Sequence, residues 1–413
     1  MTTAPALPRE RVTAARTAVF VVFALAGVVF ASWAARIADT KSTLGLTPGQ
    51  LGTTLLALSA GSVLGLPLAG RVSDRVGPAR SVAAGMGVAL VGLVLAGAVV
   101  GAGGSRWLLA VGLFLLGLGV GLWDVSMNLE GATVERLLDR SVMPHFHAAF
   151  SAGTVVSALV GAGMSWGGVP LLAHFAGSAV LTVGLALWAV PRFLPVAAAP
   201  ETGSDDDPEP VAAGPQRSAW REPRTLLIGV VVLAAAFTEG TANDWLAVAF
   251  TVGHEVPEWV GVLGFATFLT FMTVGRILGT GLLDTHGRVP VLRISFGLAV
   301  LGAALVVFGS AWVAFVGAAV WGVGAALGFP VGMSASADDP ARAAARMSVV
   351  ATIGYVAFLA GPPLLGYLGD HAGVLHALLV VGALALLALS LVPSVREPDG
   401  LPRNAARPEP ADR

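Results

Sequence analysis

The chain has 413 residues, of which 55% are apolar and only 12% charged, with a net charge of -1. Soluble domains carry about 25% charged residues, so a water-soluble globular or disordered protein is excluded, and the near-zero charge argues against nucleic-acid binding. Cysteine is absent, which removes disulfides, thiolate metal sites and cysteine nucleophiles.

A helix that crosses a bilayer needs about 20 predominantly apolar residues. In chain order, apolar stretches bounded by charge or turn residues predict spans at 17–35, 51–69, 82–101, 107–127, 148–166 and 171–190, then at 225–249, 259–280, 294–311, 312–333, 347–366 and 374–392. The first follows Arg9, Arg11 and Arg16 and is too long for a signal h-region, so it is expected as an uncleaved helix. All but Arg36, Lys41 and Arg106 of the 24 basic residues, Arg276 included, fall on the side of the amino terminus. Basic residues near span ends stay cytoplasmic, so both termini are expected inside the cell.

Between the two sets of spans lies a Pro- and Asp-rich stretch that cannot bury enough apolar surface to order itself. The expected organisation is a cytoplasmic tail 1–16, a six-helix half 17–191, a flexible linker 192–224, a second six-helix half 225–393 and a cytoplasmic tail 394–413. The halves repeat each other: Trp107, Gly112, Gly117 and Gly119 recur at constant spacing as Trp312, Gly317, Gly322 and Gly324. The fold class expected is an all-α membrane protein of twelve transmembrane helices in two pseudo-symmetric halves, an arrangement suited to alternating access.

After the second span stands Gly70-Arg71-Val72-Ser73-Asp74-Arg75-Val76-Gly77, with a degenerate copy, Gly281-Leu282-Leu283-Asp284-Thr285-His286-Gly287-Arg288, after the eighth. The first resembles the G-x-x-x-D-R-x-G signature of the major facilitator superfamily, and the resemblance covers roughly residues 15 to 393. Ser32-Trp33-Ala34-Ala35-Arg36-Ile37, Leu122-Trp123-Asp124-Val125-Ser126-Met127-Asn128 and Phe146-His147-Ala148-Ala149-Phe150-Ser151 look like the fucose-permease-like bacterial inner-membrane branch. Two departures stand out. Pro78 and Ala79 precede Arg80 where basic residues usually follow the signature, and the fifth span lacks the Gly-Pro motif typical of drug antiporters. In physical terms, Gly70, Asp74, Arg75 and Gly77, with Asp284, Gly287 and Arg288, form a candidate cytoplasmic gate, Asp74 pairing with a helix N-terminus or with basic side chains until a conformational change releases it.

Ionisable residues at membrane depth are costly and are functional candidates by default. Glu239, near the middle of the seventh span with Asn243 one turn later, is the candidate proton or substrate site. Asp124 and Asn128 form a similar pair in the fourth span. Arg36 and Asp244 lie at equal depth on the first and seventh spans, so an ion pair between them would latch an outer gate, with Trp33 and Trp245 closing over the cavity; pairing of Arg36 with Asp39 is the local alternative. His147 could donate a hydrogen bond into the cavity, whereas His145 and His147 point to different helix faces and cannot share a metal. Small-residue pairs such as Gly61/Gly65, Gly117/Gly121 and Gly275/Gly279 allow close helix approach, and Gly361-Pro362-Pro363 and Pro330 should bend their helices.

The combined expectation is a secondary active transporter moving a small polar solute, sugar-like or another metabolite, across the bacterial cytoplasmic membrane, proton-coupled and monomeric. Its partners would be the small-molecule substrate, protons and the lipid bilayer, with no nucleic acid, cofactor, metal or catalytic residue. The alternative is proton-exchange efflux of a drug-like compound or metabolite. A membrane-embedded enzyme or sensor should show a catalytic cluster or an appended soluble domain, and the sequence offers neither.

Overall fold

The computed structural model describes residues 8–138, 142–195, 218–339 and 342–397. Residues 1–7 of the expected amino-terminal tail, 196–217 of the linker, 398–413 of the carboxyl tail and the loop residue Arg140 lie outside the described residues.

Among the described residues, twelve helices are long and apolar enough to cross a membrane: Arg9–Leu44, Pro48–Val76, Pro78–Gly101, Arg106–Leu138, Met143–Trp166, Leu171–Arg192, Pro223–Gly253, Glu258–His286, Arg288–Phe308, Ala311–Ser336, Ala345–Ala372 and Val374–Val395. They are called the first to twelfth spans. Each is longer at one or both ends than its apolar run, because the backbone ladder continues past the hydrocarbon into polar turns. The side on which Pro8 lies is called the near side and the opposite one the far side.

Helix ends are set by local chemistry. Thr47 starts the second span with a capping box: its hydroxyl accepts from Gln50 N at 3.2 Å, and Gln50 Oε1 accepts from Thr47 N at 3.1 Å, with Pro48 at the first helical position. Gly77 ends that helix at φ 83°, and Gly287 occupies the same place in the second half at φ 79°. Both conformations lie in a region that side chains other than glycine rarely adopt, so the two signature loops turn by the same device.

Several spans are interrupted, the twelfth at Leu378 among them. The first breaks at Ala35–Arg36, between helices Arg9–Ala34 and Ile37–Leu44. The seventh ends in a π-helical turn, Ala249–Gly253. The tenth breaks at Ala326–Leu327, with Pro330 in the first turn of its second piece, Gly328–Ser336. In the eleventh, Pro362 and Pro363 lie inside a continuous helix.

The structure divides into two compact units. One comprises residues 1–216, 243–269 and 362–377, and the other 217–242, 270–361 and 378–413. In the first unit the far-side ends of the seventh, eighth and eleventh spans pack with the first six. Inside the first unit the second and fourth spans meet backbone to backbone: a Cβ on Gly61 or Gly65 would strike Phe114, Leu118 and Gly121, and one on Gly117 or Gly121 would strike Leu58 and Ser62. The spaced glycines of the second and fourth spans are thus partners of each other. Trp107 and Trp312, both in the first turn of their helices, are 65% and 82% exposed, as expected of rings seated at a membrane interface.

Candidate functional site

Ionisable or polar groups gather at several places along the spans. The first, in the second unit, is built on the seventh span. After the apolar run that opens this helix come Thr238, Glu239 and Gly240, with Glu239 sixteen residues from Pro223, or ~24 Å along the axis. Arg276 of the eighth span lies ten residues before His286, ~15 Å from that helix end. The two side chains form an ion pair. Arg276 Nη2 donates to Glu239 Oε2 at 2.9 Å and Oε1 at 3.0 Å, and the side chains are 32% and 22% exposed.

The surroundings fix this pair. Arg276 Nε points to the carbonyl of Ala326 at 3.4 Å, at the break of the tenth span. Gly275 and Gly279 on the same helix leave room for Val323, Ala326 and Leu327 around that break. The fully buried Trp321 donates Nε1–H to Thr238 O at 3.2 Å, locking the turn before Glu239. On the other side the Phe358 ring sits over Gly240, where a Cβ would come within 3.3 Å of it, and Tyr355 stands beside it with ring centroids 6.4 Å apart. Sequence reasoning assigned Arg276 to the cytoplasmic loop tally; the structure corrects this and places it inside the spanning helix as the partner of Glu239. The signal was available, since Arg276 falls within the predicted apolar run 259–280.

The second place lies at the far-side end of the first span, within the first unit. The break at Ala35–Arg36 turns the Arg36 side chain toward the end of the fifth span. Its Nη2 donates to Val169 O at 2.9 Å and contacts Asp39 Oδ1 at 3.2 Å, and Ser165 Oγ donates to the same Asp39 oxygen at 2.8 Å. Arg36 therefore pairs with Asp39, not with Asp244. Equal depth along unbroken helices had suggested the Asp244 partner, but the break redirects the side chain and leaves the i, i+3 neighbour within reach. Asp244 is half-buried and makes no ion pair among the described residues. Trp33 and Trp245 are both 1% exposed, and neither indole N–H finds an acceptor among the described residues. Asn243 is half-buried, and its Oδ1 is likewise unpaired.

In the same unit, the start of the second span crosses the end of the eleventh glycine on glycine. A Cβ on Gly52 would meet Pro362 O and Gly366 Cα, and one on Gly366 would meet Pro48 O, Gly49 and Gly52. Thr47 Oγ1 reaches Asp370 Oδ2 at 3.4 Å.

In the fourth span Asn128 Nδ2 donates to Asp124 O at 2.8 Å and approaches Asp124 Oδ1 at 3.4 Å. Asp124 has no basic partner among the described residues. Glu130, six residues on and 2% exposed, instead accepts from Leu194 N at 2.6 Å and so ties down the chain leaving the sixth span. His147 is exposed, with its ring edge-on to Phe23 at 5.2 Å.

The third place is the near side. The helix of the second span runs through Gly70, Asp74 and Arg75 to Gly77; Asp74 and Arg75 are exposed and form no ion pair among the described residues. What holds this segment is a hydroxyl cluster that sequence reasoning missed: Ser126 Oγ lies 3.0 Å from Ser73 Oγ and 2.6 Å from Ser81 Oγ. In the second copy Asp284 is exposed, while Arg288 pairs with Asp338 at 2.7 Å. Asp338, whose side chain is only 4% exposed, also holds Arg224 at 2.7 Å. Arg288 N donates to Glu397 Oε1 at 2.7 Å, and Arg224 Nε to Ser394 O at 3.1 Å. Glu222 pairs with Arg342 and with Arg346. Burial works to raise the Glu222 carboxyl, but the Thr225 hydroxyl and the guanidiniums of Arg346 and Arg342 outweigh it and hold the group below the ordinary carboxylate value.

Comparison with known proteins agrees with this architecture. The family model of the Major Facilitator Superfamily matches residues 17–264 and 241–412. The transporter y4wD of Sinorhizobium fredii is 31% identical over 382 residues, covering 91% of this chain and 96% of that protein. An uncharacterized MFS-type transporter of Yersinia pestis is 28% identical over 383 residues, covering 91% and 93%. Among solved structures, the nucleoside transporter NupG superposes with a TM-score of 0.75 at 15% identity, covering 92% of this chain and 99% of that one. The E. coli fucose:proton symporter FucP gives 0.60 at 14% identity, covering 93% and 98%. Twelve spans, the paired signature loops and the family match along nearly the whole chain establish that this protein belongs to the major facilitator superfamily of membrane transporters.

Proposed function

We propose that the protein is a secondary active transporter that couples a small polar solute to protons across the bacterial cytoplasmic membrane, working as a monomer with both termini in the cytoplasm. The observation that carries this reading is the Glu239–Arg276 pair. An isolated charge at membrane depth costs several kcal/mol, so the ionised pair is tolerable only while both partners are present. Protonation of Glu239 dissolves it and releases Arg276, which is the kind of two-state element a coupled carrier needs. NupG, a nucleoside transporter, and FucP, a fucose:proton symporter, share the fold, and this supports a small hydroxylated solute and proton coupling.

Other features fit the same cycle. The glycine-on-glycine crossing at Gly52 and Gly366 supports reading the structure as a state closed on the outer side. Basic residues still gather on the near side once Arg276 is removed from the tally, which favours placing that side in the cytoplasm.

The test is uptake into proteoliposomes under an imposed pH gradient, screening polar solutes with wild type and Glu239→Gln. Wild type should accumulate its substrate above equilibrium, and the variant should only equilibrate it. Full gradient-driven accumulation by Glu239→Gln would remove Glu239 as the proton site.

A further inference from the structure

The Glu239–Arg276 pair is incomplete in an informative way. An arginine presents five N–H donors in a planar fork whose edges match a carboxylate with two parallel hydrogen bonds. Here both carboxylate oxygens of Glu239 crowd onto one nitrogen, Nη2. Nε reaches only the Ala326 carbonyl, at 3.4 Å, and Nη1 bonds to no described residue. With 32% of its side chain exposed, Arg276 therefore holds an edge of its fork open. Glu239, by contrast, has both oxygens engaged. The tenth and eleventh spans bring Trp321, Tyr355 and Phe358 to this place and no charge among the described residues.

We propose that Arg276 is the anchor for a carboxylate carried by the substrate, and that Glu239 occupies that cation when the site is empty. The inference rests on the transport reading above and names the substrate class it left open: a small hydroxylated organic anion, with the Phe358 and Tyr355 rings offering a flat wall to its carbon skeleton. A permanent cation is a poor choice for a neutral sugar, which hydroxyl and amide partners would satisfy, and an amine would find Glu239 already claimed. The charge balance is explicit. One proton goes onto Glu239, the Glu239–Arg276 pair opens, and the substrate carboxylate takes the fork. Carrying a monoanion with one proton moves no net charge, whereas a neutral substrate with one proton would carry one positive charge inward.

The experiment uses the purified full-length transporter and matched triplets of solutes on one skeleton, beginning with glucose, glucuronate and glucosamine and continuing through pentose and inositol series. Binding is read as the rise in thermal midpoint at constant ionic strength. Carboxylate members should raise the midpoint, Arg276→Lys should weaken that response by about tenfold because an ammonium cannot offer the parallel pair, and Arg276→Gln should abolish it. The double variant Glu239→Gln/Arg276→Gln leaves no unpaired charge and controls for folding. Uptake of the responding carboxylate should then be unaffected by an imposed potassium diffusion potential. A stronger response to the neutral or amino member, no response to any carboxylate, or a response that survives Arg276→Gln overturns the proposal. The two readings fail separately. Gradient-driven accumulation by Glu239→Gln would sink proton coupling while the carboxylate response stands, and a neutral ligand with lost coupling in that variant would do the reverse.

Discussion

Among the described residues, two arginine–carboxylate pairs lie within the spans, and their differences separate a brace from a working part. Arg36 and Asp39 are three residues apart on one broken helix, with side chains only 3% and 13% exposed, and their remaining bonds go to Val169 O and Ser165. Glu239 and Arg276 come from different helices, are 22% and 32% exposed, and share a single guanidinium nitrogen. Arg36 too leaves Nε and Nη1 without a partner among the described residues, but they are buried, so no incoming group reaches them. A pair that joins two helices, with one edge of the fork open to an incoming group, can trade partners at modest cost.

The largest effect that would sharpen this contrast is on stability. Removing one member of a buried pair leaves the other uncompensated, at about 3–5 kcal/mol. Arg36→Ala should therefore lower the thermal midpoint of the purified protein sharply, and exchanging the residues at 36 and 39 should recover part of the loss. Charge reversal at 36 and 244 should recover none. Recovery by the 36/244 reversal instead would restore the outer latch and erase the distinction between the two pairs.

A smaller effect concerns the crossing of the second and eleventh spans. A side chain at Gly52 would run into Pro362 O and Gly366, and overpacking of this kind costs about 1–3 kcal/mol. If the crossing opens and closes in each cycle, Gly52→Leu biases the protein away from the closed outer side. A cysteine introduced at position 49 should then label faster with a membrane-impermeant maleimide, while the thermal midpoint falls only slightly. Unchanged labelling would make the crossing static, like the Arg36–Asp39 pair.

Much of the fold was legible from the sequence because long apolar runs have few alternatives in a bilayer. The twelve spans follow from hydropathy alone. Side-chain partners were less legible. Arg276 was misassigned because a tally of basic residues treats each one near a span end as lying in a loop, even within an apolar window. The partner of Arg36 stayed open between Asp39 and Asp244 because equal depth presumes an unbroken helix, and nothing local announces the break at Ala35–Arg36. The cluster of Ser73, Ser81 and Ser126 was invisible for another reason: serine hydroxyls in helices usually bond their own backbone, so only the crossing of three spans gives them one another.

The third set of ion pairs, on the near side, should show the weakest response and sets the lower end of the comparison. Glu222 precedes the seventh span and holds Arg342 and Arg346, and a glutamine there keeps a hydrogen-bond acceptor for both guanidiniums, so Glu222→Gln should cost about 1 kcal/mol. Its pH dependence identifies it. The folded-state carboxyl lies below its ordinary value, so its contribution is present at neutral pH and is lost as pH falls through the folded-state value. Wild type should therefore melt slightly above Glu222→Gln at pH 7, and the gap should close as pH is taken below the ordinary carboxylate range of about 4. High salt should narrow the gap at neutral pH as well, whereas the loss from Arg36→Ala, inside a sealed pair, should barely respond to salt. A gap at position 222 that persists through acid and salt would mean that the glutamate acts through packing rather than charge.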